Sequence, residues 1–282
     1  MTQLPLQART PCVIEEATGA EGYGLKYRAW RPDGDARATV VLLNGIMSHS
    51  SWFFPLVDPW VEAGFAVVGA DRRGSGLNEH ARGDAPSAAA IIEDAMAVID
   101  AAVPSGQPLL LVGWCWGSVL ALNLLKPLGD RLTALIMVAP GLFPTQAVTD
   151  AAKRHEAEAE GAAEDQPAIT TPIAETMFTR GPYLEGWVYA DDKRLMAITP
   201  RFRKHMAKLA MGATMRLRKL DVPTLLLLAE GDEATDNDAV DAAMTKVPQG
   251  LVQRHAIASG HAMQFDVPEF VTGRVVKFFE GL

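Results

Sequence analysis

Cysteine is scarce in this chain: Cys12 and Cys115 are the only two. With 282 residues the chain can bury a core that holds without disulfide staples, so a reducing compartment fits. Long apolar runs are missing as well, and none approaches the roughly 18 residues a membrane span needs. Residues 1–16 lack the basic start and apolar block of a secretory signal, which makes the cytoplasm the expected location. Positive charge is in short supply, with 26 Lys and Arg against 34 Asp and Glu, a net of −8. That balance argues against nucleic acid or an anionic membrane as partner, since both call for a basic surface. The histidines are scattered and no Cys/His cluster has metal-ligand spacing, so no metal is expected. The glycines of GADRRGSG, Gly69 to Gly76, are wrongly spaced for a nucleotide loop, and the chemistry is expected to be free of cofactors. No linker or internal repeat divides the chain into independent halves.

What is present is alternation. Gly24–Trp30 alternates like an outer strand, and Thr39–Leu43, Phe65–Ala70, Leu109–Val112, Ala134–Val138 and Thr224–Leu228 are short apolar runs suited to buried strands. Val252–Ile257 adds another. Helical patterns lie between them: Ser87 caps a stretch whose apolar residues Ile92, Met96, Ile99 and Val103 share one face, and Pro268 opens another with Val271, Val275, Phe278 and Phe279. Strands alternating with helices predict a mostly parallel sheet flanked by helices. From Leu142 to Lys219 no convincing strand occurs, and the acidic, alanine-rich piece Glu156 to Asp165 falls inside this stretch. The expected organisation is a core of residues 1–141 and 220–282 with a helical cap over 142–219.

The segment LLLVGWCWGSVLALNLL carries the chemistry. Leu109–Val112 reads as a strand, Gly113-Trp114-Cys115-Trp116-Gly117 as a tight turn, and Ser118–Leu125 as a helix, which is the pattern of a nucleophile elbow. Glycines two positions before and after the central residue are a steric requirement, because strand and helix pass close there. A thiol at the turn also sits at a helix N-terminus, where the dipole and free N–H groups favour the thiolate. Alone, G-x-C-x-G is a weak signal, and an inert buried thiol or a replaced serine would give the same letters. Downstream, Asp232 follows one strand and His261 another, giving the order nucleophile, acid, base. Asp236 and Asp238 crowd the same loop; Asp238 is the competing acid, or else the cap of a helix over Ala239–Val247.

With these segments in view the chain resembles the α/β-hydrolase superfamily, and within it the branch of monoacylglycerol lipases and lysophospholipases. Asn44-Gly45-Ile46-Met47-Ser48-His49-Ser50 resembles that branch's oxyanion loop, and GADRRGSG its next strand and loop. The likeness covers nearly everything except the cap. Two departures stand out: Asn44 holds the place of the usual histidine, and Cys115 that of serine. A cysteine there is similar to dienelactone hydrolases and polyhydroxyalkanoate synthases, although those usually follow the elbow with glycine where this chain has Ser118. The resemblance implies an acyl hydrolase in which Cys115 attacks a carbonyl, His261 moves the proton and Asp232 orients His261. The backbone N–H groups of Ile46 and Trp116 are the expected oxyanion donors. Ester, lactone and thioester substrates all fit, as do transfer of the acyl group to an alcohol, amine or thiol and, as a further alternative, a non-catalytic binding protein of the same fold.

The remaining expectations concern residues around this constellation. Cys12 reads as a half-buried strand residue, His255 as structural, His80, His155 and His205 as surface residues, and His49 as loop packing. Of the two tryptophans, Trp116 is expected to wall the acyl pocket and Trp114 to pack beneath the elbow. Met177, Phe178, Tyr183, Trp187 and Tyr189 either line that pocket or form a core for the cap. Arg201 to Lys219 holds seven Lys and Arg and no acid, which reads as a solvated helix face or as a landing site for the phosphates of coenzyme A or an acidic acyl-carrier protein.

Overall fold

In the computed structural model, which describes residues 7–179, 181–248 and 250–282, an eight-stranded sheet runs in the order β1-β2-β4-β3-β5-β6-β9-β10. The strands are β1 Val13–Thr18, β2 Gly24–Trp30, β3 Ala38–Leu43, β4 Phe65–Ala70, β5 Leu109–Cys115, β6 Leu132–Pro140, β9 Thr224–Ala229 and β10 Val252–Ile257. β1 and β2 run antiparallel at one edge; every pairing from β4 through β10 is parallel. Every residue of β3, β5 and β9 is buried, as continuous apolar runs in a sheet covered on both faces demand. Around the sheet lie α1 Phe54–Glu62, α2 Ala88–Ala102, α3 Trp116–Leu128 and, near the end of the chain, α8 Pro268–Glu280, with α1 packed on α8 and α2 on α3. Ser87 caps α2 through a 2.9 Å bond from the Ala90 amide.

The seven expected strands are all present, and the large sheet holds one more, β1, that the sequence does not mark. β1 carries Glu15 and Glu16 and is largely exposed, so it lacks the apolar alternation that marks a buried strand. Cys12, expected half-buried within a strand, is instead exposed and stands one residue before β1. The first six residues of the N-terminal stretch read above for a secretory signal lie outside the described residues. Among the described residues, no helix is long and apolar enough to cross a membrane.

Between β6 and β9 the chain leaves the sheet for α4 Gln146–Glu158, the two-residue strands β7 Ile169–Thr170 and β8 Ala197–Ile198, and α5 Pro200–Leu217. β7 and β8 pair with each other, so the stretch expected to hold no strand has a minimal two-stranded sheet. Its strands are too short for a periodic signal. The stretch is stitched to the sheet's loops: Leu195 N–H donates to Met47 O at 2.8 Å, and Thr199 Oγ1 donates to Asp84 at 2.6 Å. Asp191 accepts Trp52 Nε1 at 2.6 Å and lies 2.9 Å from His49 Nε2. Burial opposes the charge on Asp191, but these partners hold its carboxyl below the usual carboxylate range.

From β3 the chain steps to β4 on one side and, after α2, to β5 on the other, so the strand order reverses around β3. In such sheets the crevice beyond the carboxyl ends at that reversal is where ligands bind. The loops after β3, β5, β6, β9 and β10 all meet there.

Candidate active site

Cys115 closes β5, and Trp116 opens α3 immediately after it. The thiol-bearing residue has φ 54° and ψ −124°, a conformation that side chains other than glycine rarely adopt and that costs on the order of 1–3 kcal/mol. The register against β6 also slips between Trp114 and Cys115, which re-aims the side chain away from the pleat. The flanking glycines are there for close approach. A Cβ on Gly117 would stand 1.9 Å from Leu43 O, and one on Gly113 2.6 Å from Ser118 Cα. Gly45 brings the loop after β3 to the thiol, since a Cβ there would lie 3.6 Å from Cys115 Sγ.

His261 is fully buried, on the loop between β10 and the short helix α7 Met263–Asp266. Its Nδ1 lies 2.8 and 3.0 Å from the two carboxylate oxygens of Asp232, which follows β9. Asp232 is itself held by the amides of Ala234 and Thr235 at 2.8 and 2.9 Å. Three contacts fix the His261 backbone: its carbonyl accepts Trp114 Nε1 at 2.9 Å, its amide donates to Met177 O, and the amide of Ala262 donates to Phe178 O. Nε2 makes no well-formed hydrogen bond, but it is within the electrostatic reach of the Cys115 thiol. Burial opposes protonation of this imidazole, yet the charges of Cys115 and Asp232 and the bond to Asp232 prevail and raise its pKa to about 10.

Asp238, the competing acid, sits exposed in the first turn of α6 Asn237–Met244 and does not meet His261. Nor does it cap that helix; Asp236 does, through a 2.9 Å bond from Ala239 N–H, so the helix starts two residues before the expected Ala239. The two candidate oxyanion amides flank Cys115, Ile46 on the loop after β3 and Trp116 as the first residue of α3, whose N–H has no intrahelical partner. Among the described residues neither amide has an acceptor.

A cavity of 340 Å³ opens beside the thiol. Ile46, Cys115, Trp116, Val119 and Leu142 line it, together with residues of α4, β7, β8 and α5 and of the loops after β6, β7 and β9. Lys153, Glu156 and Arg203 are its charged lining residues, with Arg203 bonded to Glu156 at 2.6 Å. Trp116 walls this cavity while Trp114 is fully buried and does not line it. Met177, Phe178, Tyr183, Trp187 and Tyr189 do not line it either. Phe178 packs edge-on to Trp52 and tilted against Trp114, Tyr183 stacks on Phe265, and Trp187 meets Phe54. Phe178, Tyr183 and Trp187 thus belong to a core shared with α1 and α7, while Tyr189 is exposed.

Of the other histidines, His49 is buried against Asp191, His255 lies within β10, and His80 is exposed. His155 and His205, expected on the surface, are half-buried and bonded to the Thr170 and Pro86 carbonyls. Two site residues escaped sequence reasoning. Gly141 packs against the elbow, where a Cβ would crowd Trp116 N at 3.1 Å. Arg72, buried between the Asn44–Ile46 loop and the Trp116 ring, is the other. The adjacent arginines after a buried strand in an acidic chain were the available signal for it.

Fold and site together define an α/β-hydrolase-fold enzyme. The chain belongs to the Hydrolase_4 family, described as serine aminopeptidase, S33, whose model matches residues 34–266. It is 25% identical over 229 residues to an uncharacterized abhydrolase domain-containing protein of Dictyostelium discoideum, covering 79% of this chain and 24% of that protein. It is 29% identical over 114 residues to phospholipase YtpA of Bacillus subtilis, covering 40% of this chain and 44% of the phospholipase. The chain thus spans less than half the length of either relative. Among solved structures, a soluble variant of the monoglyceride lipase of Saccharomyces cerevisiae superposes with a TM-score of 0.81 at 14% identity, covering 99% of this chain and 97% of the lipase. The monoacylglycerol lipase of Paleococcus ferrophilus gives 0.77 at 16% identity, covering 90% of this chain and 97% of that one. At such identities the likeness is one of fold.

Proposed function

We propose that the protein is an acyl hydrolase whose nucleophile is Cys115, acting on esters, lactones or thioesters through an S-acyl intermediate. The observation that carries this reading is the strained Cys115 on the wall of a largely apolar 340 Å³ cavity, with the buried His261–Asp232 pair beside it. His261, whose proton affinity is raised, carries the thiol's proton while the thiolate attacks the acyl carbonyl. The carbonyl oxygen collects negative charge between the Ile46 and Trp116 amides. His261 then hands its proton to the leaving group, and a water deprotonated by the same imidazole releases the acid, with Asp232 holding the ring in register throughout. Residues 142–219 act as a cap that roofs the acyl cavity, and residues 1–141 and 220–282 form the catalytic core. The mostly apolar lining of this cavity favours an aliphatic acyl substrate.

A second reading, acyl transfer, draws on the complete burial of His261, which restricts the access of water to the imidazole that would activate it. A coenzyme A or carrier-protein thioester would then be the donor. Arg201, Arg203 and Lys204 are tied to Asp84, Glu156 and Glu164, so its phosphates would fall to Lys208, Arg218 and Lys219.

Brief exposure to a panel of acyl thioesters, followed by peptide mass spectrometry, should place an acyl adduct on Cys115 and none on the Cys115→Ala variant. An adduct at another residue overturns the nucleophile. Fast product release without an acceptor supports hydrolysis, whereas a persistent acyl-enzyme discharged by an added alcohol, amine or thiol supports transfer.

A further inference from the structure

Arg72 is a buried cation without a counterion in contact. It is 8% exposed, and among the described residues no carboxylate lies within 4.0 Å of it. Neighbouring Asp71 is committed elsewhere, to Arg28 at 3.0 Å and to the amides of Ser50 and Leu77. The guanidinium spends its donors on the loop after β3. Nη1 donates to Gly45 O at 2.8 Å and to Asn44 O at 3.2 Å, and Nη2 donates to Ile46 O at 2.8 Å. On its other side it lies over the Trp116 ring, 5.1 Å from the centroid.

A charge buried this way is costly unless its site uses it. The geometry of one peptide unit shows the use. A trans peptide is planar, with its C=O and N–H pointing in opposite directions. The carbonyl held at 2.8 Å belongs to Gly45, and the N–H of that same peptide is the Ile46 amide. Pinning the oxygen from behind therefore aims the N–H forward. The guanidinium also packs on the residue that supplies the other amide, Trp116.

We propose that Arg72 is the positioning residue of the oxyanion site, a rigid fork that holds the Ile46 amide in place while the guanidinium itself packs on the Trp116 ring. This rests on the reading above of Cys115 as the nucleophile that forms an S-acyl enzyme. Lysine cannot replace the fork, because an ammonium is a point donor and cannot span three carbonyls in one plane.

The test separates oxyanion stabilisation from everything else at the site. Alkylation of Cys115 by iodoacetamide needs the thiol and His261 but no oxyanion site, whereas acylation by a p-nitrophenyl ester needs all three. Arg72→Lys keeps the charge and removes the fork. In that variant acylation should fall by about 10²-fold or more with KM little changed, as when an oxyanion donor is lost. Alkylation, followed at the Cys115 peptide so that exposed Cys12 does not contribute, should stay within about threefold of the parent. Wild-type acylation by Arg72→Lys overturns the proposal. So does a parallel loss of both reactions in folded protein, which would mean general damage. If the lysine variant does not fold, Arg72→Gln, which is uncharged and shorter, should show at least the same acylation loss, and its retention of acylation is equally fatal. Should alkylated wild type keep its turnover, the Cys115 reading fails, while the effect of Arg72→Lys on turnover still reports on the donor loop.

Discussion

His261 is held in a charge state that burial alone would not allow. Burial works against a charge on His261, and the charges of Cys115 and Asp232 outweigh it. Removing the thiol removes one of the contributions that raise the imidazole. In Cys115→Ala the titration of His261, followed by NMR of the ring protons, should therefore move down from about 10, with Asp232 still preventing a fall to the level of burial alone. An unchanged titration would show that the thiol is not the charge His261 feels. The residue scale is also where the sequence was least decisive about the acid. Asp232, Asp236 and Asp238 share a loop and a chemistry, and only the fold decides that Asp232 turns inward while Asp236 caps α6.

At the scale of elements, the elbow is a passage between β5 and α3 so tight that glycine is compulsory. Its G-x-C-x-G spacing could be read in the sequence because the constraint is local: the residues that clash lie within a few positions of each other or on the neighbouring strand. Gly117→Ala forces a methyl group against the Leu43 carbonyl, and relief requires moving β3 or α3. Overpacking of this kind should cost about 3 kcal/mol. For a chain of this size that lowers Tm by roughly 6–12 °C, which differential scanning calorimetry would record. A variant that melts with the parent would mean the passage is looser than its geometry implies. The stretch from α4 to α5 shows the opposite limit. Its aromatic residues could be recognised as a core or a pocket lining, and nothing local distinguished the two, because the difference depends on which face meets α1.

Across the whole molecule the most direct consequence of the site is a pH dependence of stability. His261 has a folded-state pKa of about 10, above its ordinary 6.5. The stability it contributes is thus fully present below about pH 6.5 and is lost as pH rises through about 10. Urea unfolding should show the free energy of unfolding declining between pH 7 and 10 on the order of one extra proton bound in the folded state, with a flatter profile in His261→Gln. Identical slopes in both proteins would rule out this source. The seven cations of Arg201 to Lys219 belong to this scale as well. In the sequence they read as one basic patch, and in the fold Arg201, Arg203 and Lys204 face carboxylates from three other segments.

What the sequence by itself determined was everything set by short-range rules: the alternation of strand and helix, the glycine spacing of the elbow, and the chain order of Cys115, Asp232 and His261. Periodicity and steric exclusion act between residues a few positions apart and leave their mark in the letters. The tertiary structure alone decided which aspartate meets the imidazole, which cations are neutralised, which tryptophan faces the cavity, and that Arg72 grips the loop carrying Ile46. Those outcomes depend on which side chains are brought together from distant parts of the chain inside a low-dielectric core. There, a hydrogen bond or charge pair gains its strength from burial, and burial is a property of the packed whole.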